Sequence, residues 1–130
     1  MKMMGQRWQF RIDNHVVNVD NAFSWWGWGQ ERLLINQESV KATGQWFVFR
    51  RSFAEPWLTR IGEDELTVKM RSTIGGIDCR VRLAGEELEP DTLYQLTWRG
   101  DRNSWPVSHE WEETDAFFWD KLDPDDWLKM

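Results

Sequence analysis

Residues 8–19 admit one strand pairing. Trp8, Phe10 and Ile12 alternate with Arg7, Gln9, Arg11 and Asp13, the period-two pattern of a half-buried strand. Asp13-Asn14 comes next, and both residue types tolerate the positive φ of a two-residue hairpin turn. Pairing across it sets Ile12 against His15, Phe10 against Val17 and Trp8 against Val19. All six then share one face. A slip of one residue would turn the returning strand's apolar side chains to the opposite face, so the register is well specified.

The same grammar continues. Leu33-Leu34-Ile35 is a short apolar strand that ends at the turn Asn36-Gln37-Glu38, and residues 40–53 are strongly β-prone. Trp46-Phe47-Val48-Phe49 is apolar on both faces, which predicts a central strand covered on both sides. Pro56 breaks that segment, and Trp57 beside it reads as a loop residue. Leu66, Val68 and Met70 then alternate with polar residues, as do Ile77, Cys79, Val81 and Leu83, with Ile74-Gly75-Gly76 as the turn. This hairpin sets Lys69 opposite Arg80, an unfavourable pair, so its outer face wants an acidic cover or free solvent. Residues 93–98 supply one more strand. Residues 21–30, rich in Gly and Trp, read as a loop. Seven to eight short strands predict an all-β fold, an antiparallel sandwich or small barrel.

With 130 residues, one domain is expected. The net charge of −6 is unevenly placed. Residues 1–108 carry 14 acidic and 14 basic side chains, whereas residues 109–130 carry eight and two. That last segment also holds Trp111, Phe117, Phe118, Trp119, Leu122, Trp127 and Leu128, too apolar for a free acidic tail. The expected organisation is a β-sandwich over residues 1–108 with an acidic, aromatic, partly helical segment, 109–130, docked on it. Thr114 or Asp115 would cap a helix over residues 116–122, and Asp123-Pro124 a second. The basic face of Lys69, Arg71, Arg80 and Arg82 is the electrostatic candidate for the docking.

Other classes are set aside on similar grounds. A net acidic chain without a basic stripe argues against nucleic acid. No apolar run approaches a membrane span, and Met1 to Arg7 lacks the apolar core of a secretory leader. One cysteine, Cys79, allows no internal disulfide. A cytoplasmic protein, monomeric or weakly self-associating, is expected.

An ordered series of features extends over residues 8–88. The hairpin with Trp8-x-Phe10 leads to Gly29-x-Glu31-Arg32-Leu33-Leu34-Ile35-Asn36. Val40 and the aromatic strand Gln45-Trp46-Phe47-Val48-Phe49 come after it, then a Phe-x-x-Gly-like strand around residues 53–62. The paired strands 66–70 and 77–83 close at Ala84-Gly85-Glu86-Glu87-Leu88. This series resembles the Fas apoptotic inhibitory molecule family, with its Gly-Lys-Arg run, Val-Asp-Gly turn and Asn-Gly-Lys-x-Leu closure. The departures are Asn36-Gln37 in place of Asp-Gly, the extra tryptophans at 25–28 and the acidic tail. The resemblance implies a compact antiparallel β-sandwich without catalytic residues. It also implies a role in protein–protein interaction, which in animals includes anti-aggregation or apoptosis-regulating activity.

Motifs for chemistry are sparse. His15, His109 and Glu112 are weak metal candidates, because no pair stands at helix or zinc-ribbon spacing. Cys79 falls on the inward face of its strand and reads as a small core residue. There is no Gly-x-Ser-x-Gly elbow, and Gly75-Gly76 lacks the partners of a phosphate loop. The adjacent acids read as solvated turns. No motif calls for a cofactor, and an enzyme is not expected. Eleven residues are tryptophan, three of them in Trp25-Trp26-Gly27-Trp28. Trp25, Trp26 and Trp28 are the binding candidates. Exposed, they would form a protein contact or stack on a glycan or small ligand; packed, they would plug the end of the sandwich. The leading expectation is a non-enzymatic protein-interaction module, the alternative a carbohydrate- or small-ligand-binding β-domain.

Overall fold

A computed structural model describes residues 1–24, 27–46, 56–73 and 76–117. Among them, ten strands form two open antiparallel sheets without a closed barrel. The six-stranded sheet has the order β10-β9-β1-β2-β3-β4, and the four-stranded sheet β5-β6-β7-β8. The strands are β1 (Lys2–Ile12), β2 (His15–Phe23), β3 (Trp28–Ile35), β4 (Glu38–Trp46) and β5 (Trp57–Ile61). They continue with β6 (Asp64–Thr73), β7 (Gly76–Leu83), β8 (Glu86–Leu88), β9 (Thr92–Arg99) and β10 (Glu112–Thr114).

The first hairpin has the register expected from its apolar pattern: Ile12 faces His15, Phe10 faces Val17 and Trp8 faces Val19. Asp13 takes a positive φ of 52° in the turn. The β6–β7 pair sets Lys69 against Arg80 and Met70 against Cys79. The inner faces of the two sheets meet in one core. Trp8, Phe10, Ile12, Val17, Val19 and Leu33 of the large sheet pack against Ile61, Leu66, Val68, Met70 and Val81 of the small one. Phe117 joins this core, its ring edge-on to Trp8 at 5.0 Å.

Three expectations are corrected. Residues 21–30 are mostly strand: β2 runs to Phe23, β3 starts at Trp28, and the connection is closed by Ser24 N–H donating to Trp28 O at 2.8 Å. Trp57 begins β5 and packs on the core; Pro56 stands just before the strand, where its missing N–H disturbs no ladder bond. β4 ends the strand order among the described residues, so Trp46, 43% exposed, is at an edge rather than in a covered centre. Phe47, Val48 and Phe49, the rest of that apolar run, lie outside the described residues.

The outer face of the large sheet is also covered. Asp20 receives Arg7 Nε at 2.7 Å and Arg32 Nε at 2.8 Å, with Asp20 and Arg7 both buried. The Trp111 ring lies over the Arg7 guanidinium at 4.6 Å and the Trp105 ring over that of Arg32 at 4.5 Å. Gly5 leaves room for Trp98 and Trp111, since a Cβ there would lie 3.0 Å from Trp111 Cη2. Residues 98–111 therefore wrap this face with three indoles stacked on charge and on one another.

The acidic segment begins on the same sheet. A 3-10 turn, Ser108–Glu110, leads into β10, which pairs Glu112 with Gln95 and Thr114 with Leu93. Thr114 is thus a strand residue, and its hydroxyl donates to Ala116 O at 2.7 Å. The basic residues Lys69, Arg71, Arg80 and Arg82 lie on the outer face of the other sheet. Residues 118–130, with most of the expected helix, lie outside the described residues.

Candidate functional site

The hairpin register carries on beyond the apolar core along each strand. Past Trp8 the next inward positions on β1 are Gln6 and Met4; past Val19 on β2 they are Asn21 and Phe23. Gln6 pairs with Asn21, Asn21 with Glu31, and Glu31 with Thr43. On the other side Gln6 pairs with Gln95, and Gln95 with Glu112. Each of the six strands therefore contributes one polar residue to a single row. The neighbouring row, Leu93, Trp8, Val19 and Leu33, is apolar and belongs to the core. The inner face changes from oil to polar within one strand repeat.

The centre of the row is buried. Gln6 is 5% exposed, Asn21 1% and Glu31 0%. Thr43 Oγ1 donates to Glu31 Oε2 at 2.5 Å. Among the described residues, neither the Oδ1 nor the Nδ2 of Asn21 has a hydrogen-bond partner, nor does the Oε1 of Gln6. A buried polar group left unpaired costs about 1–3 kcal/mol. Two such amides side by side are a poor way to fill a core, and Leu or Val would serve stability better. Beside them a groove of about 350 Å³ is lined by Gln6 with Lys2, Met4, Phe23, Gln95 and Glu112. Its size is at the small end of ligand sites, and its walls mix an aromatic ring and a thioether with amides and a carboxylate.

This arrangement offers donors and acceptors in a line, bounded by Glu112 at the edge. Its one hydroxyl, that of Thr43, is tied to the Glu31 carboxylate. Cys79 is on the other sheet, opposite Met70, and burial, with Asp78 adding, pushes its thiol far above the ordinary range. The thiolate is the reactive form, and this shift disfavours it.

The residues expected to bind fall in different places. Trp25 and Trp26 lie outside the described residues. Trp28 is buried at 6% exposure on the outer face of β3. Its Nε1 donates to Gln30 Oε1 at 2.8 Å, and Gln30 Nε2 donates to Ser104 O at 2.6 Å. The indole is thus a fixing point for the loop that crosses the sheet. His15 sits at the far end of the first hairpin, with Nδ1 3.0 Å from Asn36 Nδ2. His109 is exposed in the 3-10 turn, and Glu112 ends the polar row. Among the described residues, no three His, Cys, Asp or Glu side chains gather as a metal site would require. No family model matches the chain, and no curated protein or solved structure matches it either.

Proposed function

We propose that this protein is a non-enzymatic binding module that takes a small, neutral, polar ligand of the polyhydroxylated or acetamido class at the polar row. The observation that carries this reading is Asn21: fully buried, with both side-chain atoms unpaired among the described residues, and paired in register with Gln6, which lines the groove. A primary amide that donates and accepts at once is suited to a hydroxyl or a second amide. Phe23 and Met4 supply the apolar surface on which a sugar ring lies. The test is a titration with free monosaccharides and N-acetylated sugars, read by amide chemical shifts of β1, β2 and β9. Saturable shifts that vanish in Asn21→Leu support the reading. Shifts absent throughout the panel, or unchanged in Asn21→Leu, refute it.

A second reading, a protein-interaction module of the kind the Fas apoptotic inhibitory molecule resemblance implies, is favoured by β4. Residues 38–44 are exposed along this edge, including Val40 at 41%, and an edge that is open among the described residues can pair with a strand from a partner. Capture of a partner by the wild type that is lost in Val40→Lys would favour it over the ligand reading.

A further inference from the structure

The outer face of the four-stranded sheet breaks a local rule. On β6 the outward residues are Thr67, Lys69 and Arg71, and opposite them on β7 stand Arg82, Arg80 and Asp78. Lys69 and Arg80 are therefore direct cross-strand neighbours of like charge, which is destabilising. Among the described residues, Arg80 alone of these cations is neutralised, by Asp78 at 3.2 Å and Glu87 at 3.7 Å. Arg71 faces Asp78 in register but forms no ion pair with it. Among the same residues, Lys69, Arg71 and Arg82 have no carboxylate within ion-pair distance. Thr67, Lys69, Arg71, Asp78, Arg80 and Arg82 line one open groove of about 430 Å³, together with Pro56. In a chain of net charge −6, a groove with four cations and one carboxylate stands against the overall field.

We infer that this groove docks an acidic, extended peptide segment of a partner protein. The spacing supports that chemistry. Lys69 and Arg71, like Arg80 and Arg82, are two residues apart on a strand, roughly 6.5–7 Å. Carboxylates at alternate positions of an extended peptide have the same repeat. Three of the four cations are guanidiniums, which take carboxylates in two parallel hydrogen bonds. The apolar flank fits a peptide as well: Leu58, paired with Thr67 on the same face, is 55% exposed, and Pro56 lies beside the cations. A long polyanion such as nucleic acid would meet the excess negative charge of the rest of the chain.

The experiment is fluorescence anisotropy with the full chain and a labelled peptide carrying Glu at alternate positions and one Leu. Saturable binding is expected. It should weaken as salt is raised and fall by about tenfold or more in Lys69→Glu with Arg82→Glu, which remove two charge-assisted contacts. Lys69→Arg should keep it. These side chains are on the outer face, and circular dichroism checks that the variants fold. A peptide of the same composition with its Glu residues adjacent should bind more weakly. The proposal is overturned if the alternating peptide does not bind, or binds the doubly reversed variant equally. It is also overturned if a short oligonucleotide binds this face and the peptide does not.

Discussion

Arg7 and Asp20 oppose each other across β1 and β2 with two parallel hydrogen bonds, Nε to Oδ1 at 2.7 Å and Nη2 to Oδ2 at 2.9 Å. Arg32 reaches the same carboxylate from β3, so one buried anion serves two guanidiniums. Removing the anion leaves two cations facing each other in a site closed by Trp105 and Trp111. Asp20→Ala is expected to cost about 3–5 kcal/mol, as for other broken buried pairs. Replacing all three charges together, Arg7→Met with Asp20→Leu and Arg32→Met, should recover most of that loss, because the desolvation cost goes with the charges. Urea denaturation measures both. A cost below about 1 kcal/mol for Asp20→Ala would mean that the trio behaves like a surface ion pair.

Gly5 makes a separate prediction about the same face. A methyl group there would lie 2.8 Å from Trp98 Cη2 and 3.0 Å from Trp111 Cη2, so one indole must move. Gly5→Ala should lose about 1–3 kcal/mol, the usual cost of overpacking. It should also change the tryptophan emission, because Trp98 and Trp111 are packed edge to face with centroids 6.0 Å apart. Gly62 is a control of another kind. It has φ +61° and nothing within 4 Å of an added methyl, so Gly62→Ala should cost only backbone strain, about 1 kcal/mol, with no change in emission.

Much of the fold is legible in alternation. Trp8, Phe10 and Ile12 dictate their own pairing, and Leu66–Leu83 obeys the same logic. The polar row is within reach of that reasoning. Extending the Trp8–Val19 register by two residues puts Gln6 against Asn21, inward, with no further assumption. What hides it is that Gly and Trp at 25–29 look like a loop, whereas Phe23 and Gly29 are still paired. The outer cover is harder to see. Arg7 and Arg32 sit at positions that alternation assigns to water, and nothing local says that Trp105 and Trp111 return to stack on them. Such contacts are long-range, and the pattern of a single strand carries no trace of them. The same holds for Trp46, whose apolar neighbours in sequence suggest a centre, whereas the strand order among the described residues puts it at an edge.

Cys79 gives a pH prediction with a definite sign. Burial, then Asp78, raises the folded-state thiol above its unfolded value. The fold therefore holds a proton that the unfolded chain releases. This contribution is intact below the unfolded value of about 8.5 and is lost as pH rises beyond it. Wild type should lose stability in alkaline solution more steeply than Cys79→Val, by at most about 1.4 kcal/mol for each pH unit. Urea midpoints from neutral to alkaline pH compare the two. Equal slopes would place the thiol in contact with water, and Ellman's reagent should then label the native protein quickly rather than only on unfolding.

Asn21 sets stability against binding. Its amide is buried in the middle of the six-stranded sheet, flanked by Gln6 and Glu31, with no partner for either side-chain atom among the described residues. Leu has the same branched outline and carries no polar group, but its methyl groups are bulkier, so the smaller Asn21→Val serves as its control for overpacking. If the amide is there to hold the packing together, Asn21→Leu should destabilise. If it is there for a ligand, the unpaired amide is a standing cost of about 1–3 kcal/mol. Asn21→Leu should then raise the urea midpoint while abolishing saccharide shifts, the exchange of stability for function that binding sites commonly show. Asn21→Asp separates the polar contribution from the packing one. It keeps the shape but buries a carboxylate beside Glu31, so it should lower stability sharply at neutral pH and less in acid, where the carboxylate is protonated. A loss of stability in both Asn21→Leu and Asn21→Val, with no saccharide shifts in the wild type, would show that the amide serves packing rather than a ligand.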